Sequence, residues 1–383
     1  MIPMPRITRT LASALLTLSL ASPALAETVT PLTPAQIAPA ITRTDSIPGA
    51  NELVHDAASG LLYVASVPDF AEGTPGYIHI LDATDLRPLR QIQSGRLPFA
   101  LALDHSTGRL YAGNTLEGSL SVIDAKGGQL LQVIQLGQPM GEGFEHTRMI
   151  ALDEGRGLGF VTSPGEKGVI WVVDTKDGKL LHRIDQGLWT AGAAHDPQAG
   201  RFYASGGGMA EIAVIDAESG GLTGTISTGD TVEPGEAASK HFFVNLAIDP
   251  ATQRLFAADA STGSLYVIDI AAGKPVATVP VGLGVLDVAF NPTRSEIYVS
   301  WRGVTREAPE GQGGVAVIDA TDYRVKAQIP LATHPNSLEV SADGSVLFVT
   351  VKAPHEESHP DYRKGALDGV VRLDLAKLAG LSD

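Results

Sequence analysis

Short runs of aliphatic residues that end in an aspartate recur along this chain. The clearest is Gly314–Asp319, which reads GVAVID, and it alternates apolar side chains on both faces of a predicted strand before the polar stop. The runs end at Asp82, Asp124, Asp174, Asp216, Asp269, Asp319 and Asp374. Seven copies, 42 to 55 residues apart, indicate a repeat architecture.

Each repeat contains four predicted strands separated by turn residues. In the fifth repeat they cover residues 244–249, 254–258, 264–269 and 275–281. An aromatic residue marks every second strand, at Tyr63, Tyr111, Phe160, Tyr203, Phe256, Tyr298 and Phe348. Because the third strand is apolar on both faces, it must be covered on both sides. The pattern predicts an all-β fold, a seven-bladed β-propeller with four-stranded antiparallel blades.

The two ends of the repeat array complement each other. The last repeat has no fourth strand, and the surplus strand at residues 40–44 precedes the first repeat. We therefore expect this N-terminal strand to complete the last blade and close the ring. The expected blades cover residues 49–94, 97–137, 145–187, 190–228, 241–281, 284–331, and 335–375 together with 40–46.

The amino-acid pattern of the repeats resembles that of a known family. Residues 62–65 read LYVA, residues 118–124 read GSLSVID, and the fourth strands end in glycine. This pattern resembles the YVTN-repeat (YncE-like) propellers and covers nearly all of residues 41–375. The resemblance implies seven blades and an exported bacterial protein. It carries over no functional residue, because the matching positions are core and turn positions.

The N-terminus predicts export. Arg6 and Arg9 precede a short apolar run, and Ala24-Leu25-Ala26 fits a signal-peptidase site. We predict a secretory signal peptide at residues 1–26, a single propeller domain at residues 27–383, and a periplasmic location. No later stretch is long and apolar enough for membrane insertion.

Composition narrows the function classes. The chain has 28 Lys and Arg against 43 Asp and Glu, and its first 26 residues hold two arginines and no acid, so the remainder carries a net charge of −17. This charge disfavours nucleic acid as a partner. The absence of cysteine excludes disulfides, a thiolate nucleophile and covalent haem.

Every sizeable insertion is predicted on one face of the disc. In a four-stranded meander, the second-to-third loops and the blade connections share a face, and the long segments are 67–76, 137–145, 228–240, 301–313 and 352–368. Long loops on a rigid scaffold commonly carry binding or chemistry.

The first strands line the axis and begin on that same face. Their polar residues form a candidate site at the channel mouth: Asn51, Glu52, His146, Arg148, His241, Asn245, Asp287, His334 and Asn336. Such a ring can bind a small molecule, a metal or a peptide. Alternatively, it is the polar lining of a water-filled channel. Trp189 and Trp301 map to the same face, as recognition anchors if exposed and as loop packing if buried.

One loop offers a candidate metal site. His355, Glu356 and His359 could hold a divalent transition metal, but this spacing is useful only on a helix, and prolines flank it. The alternative is a solvated loop. The remaining histidines fall on strands or turns and are interpreted as structural: His55, His79, His105, His182 and His195.

Two functions remain open from the sequence. The first is a non-enzymatic binding protein whose loop-bearing face recognises a periplasmic protein, peptide or small molecule. The alternative is a metal-dependent hydrolase or lyase, or a metal-handling protein, that uses a His/Asp/Glu cluster at the channel mouth. Because a closed propeller exposes no long strand edge, we expect a monomer.

Overall fold

The structure, a computed structural model, contains seven four-stranded antiparallel sheets within the residues that it describes. These residues are 29–71, 73–141, 143–165, 167–187, 189–208, 211–229, 239–305, 308–331 and 334–378. The predicted signal peptide lies outside them. The seven-bladed β-propeller predicted from the sequence is confirmed.

The first strand and the first three blades occupy the N-terminal half of the ring. The first strand is β1 (Ile41–Ile47). Blade 1 contains β2 (Ala50–Asp56), β3 (Leu61–Ser66), β4 (Gly76–Asp82) and β5 (Pro88–Ser94). Blade 2 contains β6 (Pro98–Asp104), β7 (Arg109–Asn114), β8 (Ser119–Asp124) and β9 (Leu130–Gln135). A small ribbon follows, β10 (Pro139–Met140) and β11 (Gly143–Phe144). Blade 3 contains β12 (Ile150–Asp153), β13 (Leu158–Ser163), β14 (Gly168–Asp174) and β15 (Lys179–Gly187).

Four further blades complete the ring. Blade 4 contains β16 (Gly192–Asp196), β17 (Arg201–Ser205), β18 (Ile212–Asp216) and β19 (Leu222–Ile226). Blade 5 contains β20 (Phe243–Asp249), β21 (Arg254–Asp259), β22 (Ser264–Asp269) and β23 (Lys274–Pro280). Blade 6 contains β24 (Val285–Asn291), β25 (Glu296–Trp301), β26 (Gly314–Asp319) and β27 (Val325–Pro330). Blade 7 contains β28 (His334–Val340), β29 (Val346–Lys352) and β30 (Asp368–Asp374), with β1 as its fourth strand.

The N-terminal strand closes the ring as expected. β1 pairs antiparallel with β30, with Ile41 opposite Leu373 and Thr44 opposite Val370, and it extends three residues beyond the predicted end. A four-residue helix, α1 (Pro34–Ile37), precedes it, and the Gln36 side chain accepts a hydrogen bond from the Thr33 amide. No helix in the described part of the chain has the length and apolarity to cross a bilayer.

The core lies between the blades. The seven innermost strands contact their neighbours all round the axis, from β2 through β28 and back to β2. In β26, both faces are fully buried, as Val315 and Ala316 show. The repeated aromatic residues are all buried, and some tie blades together: Tyr63 Oη donates to the Ala125 carbonyl of the next blade at 3.1 Å. Burial on both faces is thus why each third strand is uniformly aliphatic.

The recurring aspartates cap turns. Asp124 accepts a hydrogen bond from the Gly127 amide at 2.7 Å, and Asp319 accepts one from the Thr321 amide at 2.7 Å. The carboxylate thus fixes the turn that leads into the fourth strand.

Candidate functional site

Irregularities in the innermost strands direct side chains toward the axis. The pairing register shifts in β2, β6, β20, β24 and β28, each time near the start of the strand. The shifts enclose Glu52, Phe99, Asp287 and Asn336. A bulge adds a residue to one strand and changes the direction of its side chain. Sequence positions far apart in the chain are therefore brought to one place.

Two cavities adjoin at this place, and together we call them the channel mouth. The axial cavity has a volume of about 40 Å³ and is lined by Glu52, Phe99, Arg148, Asn245, Leu286, Arg302, Asn336 and Ser337. The loop cavity, of about 500 Å³, is lined on its polar side by Arg302, His334, Lys352, His355, Glu356 and His359. Arg302 lines both cavities.

The long loops of blades 6 and 7 are tied together beside the loop cavity. Gln312 Nε2 donates to Asp361 Oδ2 at 2.6 Å. His359 Nε2 donates to the Gly311 carbonyl at 2.9 Å. These bonds fix one loop against the other and hold the cavity wall in place.

Two buried carboxylates adjoin the axial cavity: Glu52 lines it, and Asp287 is bonded to its lining residue Asn245. The Ser337 hydroxyl contacts Glu52 and lies 3.4 Å from Asp287 Oδ2. Asp287 also accepts hydrogen bonds from the Leu338 amide at 2.7 Å and from Asn245 Nδ2 at 2.8 Å. The Ser337 hydroxyl therefore lies between the two carboxylates, and Asp287 has further donors of its own.

Burial governs the ionisation of these acids. It raises the pKa of Glu52 to about 7, and the neighbouring Asp287 raises it further. Burial raises the pKa of Asp287 to about 6 although its hydrogen bonds oppose the change. Burial, followed by the charges of Glu52 and Asp287, raises the pKa of Glu339 to about 8. The group therefore titrates around neutral pH.

Three cations face these acids. The Arg148 guanidinium lies 5.2 Å from the centre of the Phe99 ring. Arg302 Nη2 donates to Asn336 Oδ1 at 3.0 Å. Lys352 Nζ donates to Asn51 Oδ1 at 3.0 Å and lies 3.3 Å from the Asp368 carboxylate. Burial lowers the pKa of all three cations.

The predicted histidines form no metal-binding group among the described residues, although the rings of His334 and His359 lie 5.2 Å apart. His241 is buried against Asp259, with Nδ1 2.6 Å from Oδ2. His334 Nδ1 lies 3.3 Å from the Arg302 carbonyl, and burial lowers the pKa of His334. His146 is half-buried, and among the described residues no group of three His, Asp or Glu side chains could hold a metal. The hydrolase hypothesis therefore finds no ligand set in this part of the chain.

The predicted metal loop does not assemble ligands either. Its residues 355–359 form turns rather than a helix, and His355 and Glu356 are exposed. Both ring nitrogens of His359 are used: Nε2 donates to Gly311, and Nδ1 accepts from the Asp361 amide at 3.0 Å. His359 therefore holds the loop and has no lone pair to offer a metal.

The two tryptophans differ. Trp189 is 49% exposed, so its role as an anchor stays a prediction. Trp301 is half-buried and packs over two glycines, because a Cβ at Gly282 or at Gly314 would lie 2.9 Å or 2.5 Å from its ring. Trp301 therefore packs the base of its loop.

Sequence reasoning missed several residues of the mouth. Arg302, Lys352, Phe99 and Ser337 line its cavities and were not among the candidates. Glu339, whose pKa is raised by burial and by the charges of Glu52 and Asp287, was not among them either. A signal for two of them existed, because Arg302 and Lys352 stand where second strands lead into long loops. No sequence signal marked Phe99 or Ser337, because only the bulges bring these two residues to the axis.

Comparisons with known proteins agree with this fold. The family model of the cytochrome D1 heme domain matches residues 70–358. The uncharacterized protein YncE of Salmonella typhimurium (strain LT2) is 30% identical over 338 residues, which is 85% of this chain and 88% of the relative. YncE of Escherichia coli K12 matches with the same identity and coverage.

Two solved structures share the fold. Hydrazine synthase of Kuenenia stuttgartiensis has a TM-score of 0.56 at 20% identity, over 67% of this chain and 74% of that one. U3-55K has a TM-score of 0.67 at 13% identity, over 88% of this chain and 99% of that one. At these identities the likeness concerns the fold alone.

The haem in the family description does not fit the described residues of the mouth. A tetrapyrrole needs apolar walls on both faces, whereas only Val304, Pro309 and Pro354 are apolar among the ten residues of the loop cavity. Of the three histidines that line this cavity, His359 has both ring nitrogens hydrogen-bonded, and His355 is exposed. His334 is held through Nδ1 by the Arg302 carbonyl. We therefore derive no chemistry through a haem.

Proposed function

We propose that this chain, which belongs to the cytochrome D1 heme domain family and to the YncE family, is a binding protein that takes up a small ligand at the channel mouth. The main support is that bulges in the inner strands of five blades direct side chains toward the axis. A cavity of about 500 Å³ adjoins this place. Cavities of this volume are typical of small-molecule sites.

The rigidity of the surroundings supports binding over a passive channel. The loop cavity stands on a closed ring of sheets, and its two long loops are joined by the Gln312–Asp361 and His359–Gly311 hydrogen bonds. A preformed site loses less conformational entropy when a ligand binds. A small ligand is favoured over a protein partner because the polar groups face inward, into a concave space.

We further propose that the protein acts after export, in a bacterial periplasm. The support is the composition of residues 1–26, which predicts cleavage before Glu27. Intact-mass measurement of protein from the periplasmic fraction should give a chain that begins at Glu27. Recovery of the full-length chain from the cytoplasm would contradict export.

The binding function is tested by thermal shift and calorimetry on the chain from Glu27. The panel covers sugars, amino acids, amines, carboxylic acids, phosphates, short peptides and divalent metals. Val304→Trp fills the rim of the loop cavity, and Val276→Trp, on the exposed face of β23, is the matched control.

We expect at least one small molecule to bind the wild type and the control and to bind Val304→Trp at least tenfold more weakly. If no compound binds, or if Val304→Trp binds as well as the wild type, the proposed function is wrong.

A further inference from the structure

We propose that the ligand of the channel mouth is a small organic acid, whose carboxylate is held in the axial cavity between Arg148 and Arg302 and whose body occupies the loop cavity. This inference rests on the proposed function and specifies the ligand. It also includes a proton linkage: the acid binds more tightly below neutral pH than above it.

Two guanidinium groups at the axial cavity feel nearby carboxylates only at a distance. Glu52 and Asp287 attract Arg148, and Asp368 attracts Arg302, without direct ion pairs among the described residues. No described Asp or Glu forms an ion pair with Arg148 or Arg302, and the Nε atoms of both are buried without a hydrogen-bond acceptor. Buried cations are normally paired, since an unpaired charge in a protein interior is costly. Two such groups that line one cavity indicate an anion that binds between them.

The nearby carboxylates do not satisfy these arginines. Asp287 is held by the amides of Val288 and Leu338 and by the Asn245 side chain, at 2.7 to 2.9 Å. Glu52 is bonded to the Ser337 hydroxyl. The Nε–H groups of the two arginines therefore remain for a ligand.

The size of the cavities selects the head group. A volume of about 40 Å³ exceeds the roughly 10 to 15 Å³ that one water needs on the same measure, so the axial cavity takes a group of a few heavy atoms. It admits a planar carboxylate, which the guanidinium fork matches with paired hydrogen bonds. A tetrahedral phosphate is bulkier, which disfavours it. The adjoining loop cavity, of about 500 Å³, leaves room for the rest of the molecule.

The acids below the site supply the proton linkage. Glu52, Asp287 and Glu339 are neutral at low pH and acquire negative charge as the pH rises through about 6 to 8. The charge that develops opposes a bound carboxylate, while Arg148 and Arg302 stay positive throughout. Each acid that ionises should weaken the binding of the anion on the order of tenfold.

The other charged groups around the mouth do not reverse this trend. Lys352 is paired with Asp368, so the two largely cancel. His334 and His55 have pKa values lowered by burial, so they gain positive charge only at acidic pH, which favours the anion further. The ligand itself stays ionised, because a free carboxyl has a pKa of about 4.

Isothermal titration on the chain from Glu27 tests the proposal. The probes are lactate, glutarate and gluconate, the neutral amides of the same acids, and inorganic phosphate, each at pH 5.5, 7.0 and 8.0. The variants are Arg148→Gln, Arg302→Gln and Glu52→Gln. Arg87→Gln, at an exposed turn, is the matched control.

We expect at least one acid to bind at least tenfold more tightly at pH 5.5 than at pH 8.0, and its amide to show no binding. Arg148→Gln and Arg302→Gln should weaken it at least tenfold, Arg302→Lys should restore part of the loss, and Arg87→Gln should change nothing. Glu52→Gln should strengthen binding at pH 8.0 and flatten the pH profile, which a merely structural role would not do.

The outcomes separate this inference from the proposed function. If the loop cavity binds a neutral compound, or phosphate in preference to every acid, the protein is a binding protein but the carboxylate site is wrong. Equal affinity for acid and amide, or a flat pH profile in the wild type, also overturns the inference. Absence of any ligand in the wider panel overturns the proposed function itself.

Discussion

Replacing Glu52 by glutamine should stabilise the protein at alkaline pH and leave it unchanged at acidic pH. Glu52 is 9% exposed, lies beside Asp287, and is bonded to the Ser337 hydroxyl. Glutamine has nearly the same shape, can still accept that hydrogen bond, and never carries a negative charge. The substitution therefore removes the cost of ionising a buried acid.

The size of the effect follows from the pKa of Glu52. That pKa is 4.5 in the unfolded chain and about 7 in the folded protein. Between these values the folded state holds a proton that the unfolded state has released, so the free energy of unfolding decreases as the pH rises from 4.5 to 7 and stays lower above that. A gap of about 2.5 at 1.36 kcal/mol per unit gives about 3 kcal/mol. For roughly 350 residues this corresponds to a melting temperature about 4 °C lower.

The assay is differential scanning calorimetry at pH 5.0 and pH 8.5. At pH 8.5, Glu52→Gln should melt about 4 °C above the wild type, and at pH 5.0 the two should melt within about 1 °C of each other. Glu218→Gln is the matched control, because Glu218 is exposed. An equal difference at both pH values would show that Glu52 ionises as a free glutamate does, and the reasoning about the buried acids would fail.

Three further predictions concern the scaffold. A chain that begins at Pro48 lacks β1 and the buried Leu32 and Ile37, so it should melt at least 10 °C below one that begins at Glu27; equal melting would remove the N-terminal strand from the closure of the ring. His359→Ala breaks both hydrogen bonds of its ring, so limited proteolysis should cut within residues 352–368 several times faster than in the wild type, whereas an unchanged rate would show that the loop is held by other contacts. Trp301→Ala leaves a space above two glycines and should reduce the free energy of unfolding by about 2 to 3 kcal/mol in urea denaturation, and a loss below about 0.5 kcal/mol would contradict its packing role.

The fold was predictable because its determinants are local and repeated. In the run Gly314–Asp319, the aliphatic residues predict a strand that is buried on both faces, and the final aspartate predicts the turn that follows. Seven such runs at regular spacing are compatible with few architectures in which every one of these strands is packed on both faces. Even ring closure followed from counting, since one strand was missing at the end and one was in surplus at the start.

The candidate site was predictable only in part. The polar residues identified at strand starts include four that line the axial cavity, Glu52, Arg148, Asn245 and Asn336, and Asp287, which is bonded to Asn245. The histidines were interpreted by residue type, and that interpretation found no support in the described residues. His359 is held by backbone groups, and His241 is held by Asp259.

The sequence by itself determined the strands, their number and their order, because burial on two faces and turn capping depend on neighbours along the chain. Only the tertiary structure decided that Arg148 of blade 3 and Arg302 of blade 6 line one cavity and that no described carboxylate forms an ion pair with either. Their pairing depends on bulges of the inner strands and on which acids already have donors. Those are distances across the axis, and no pattern of spacing along the chain encodes them.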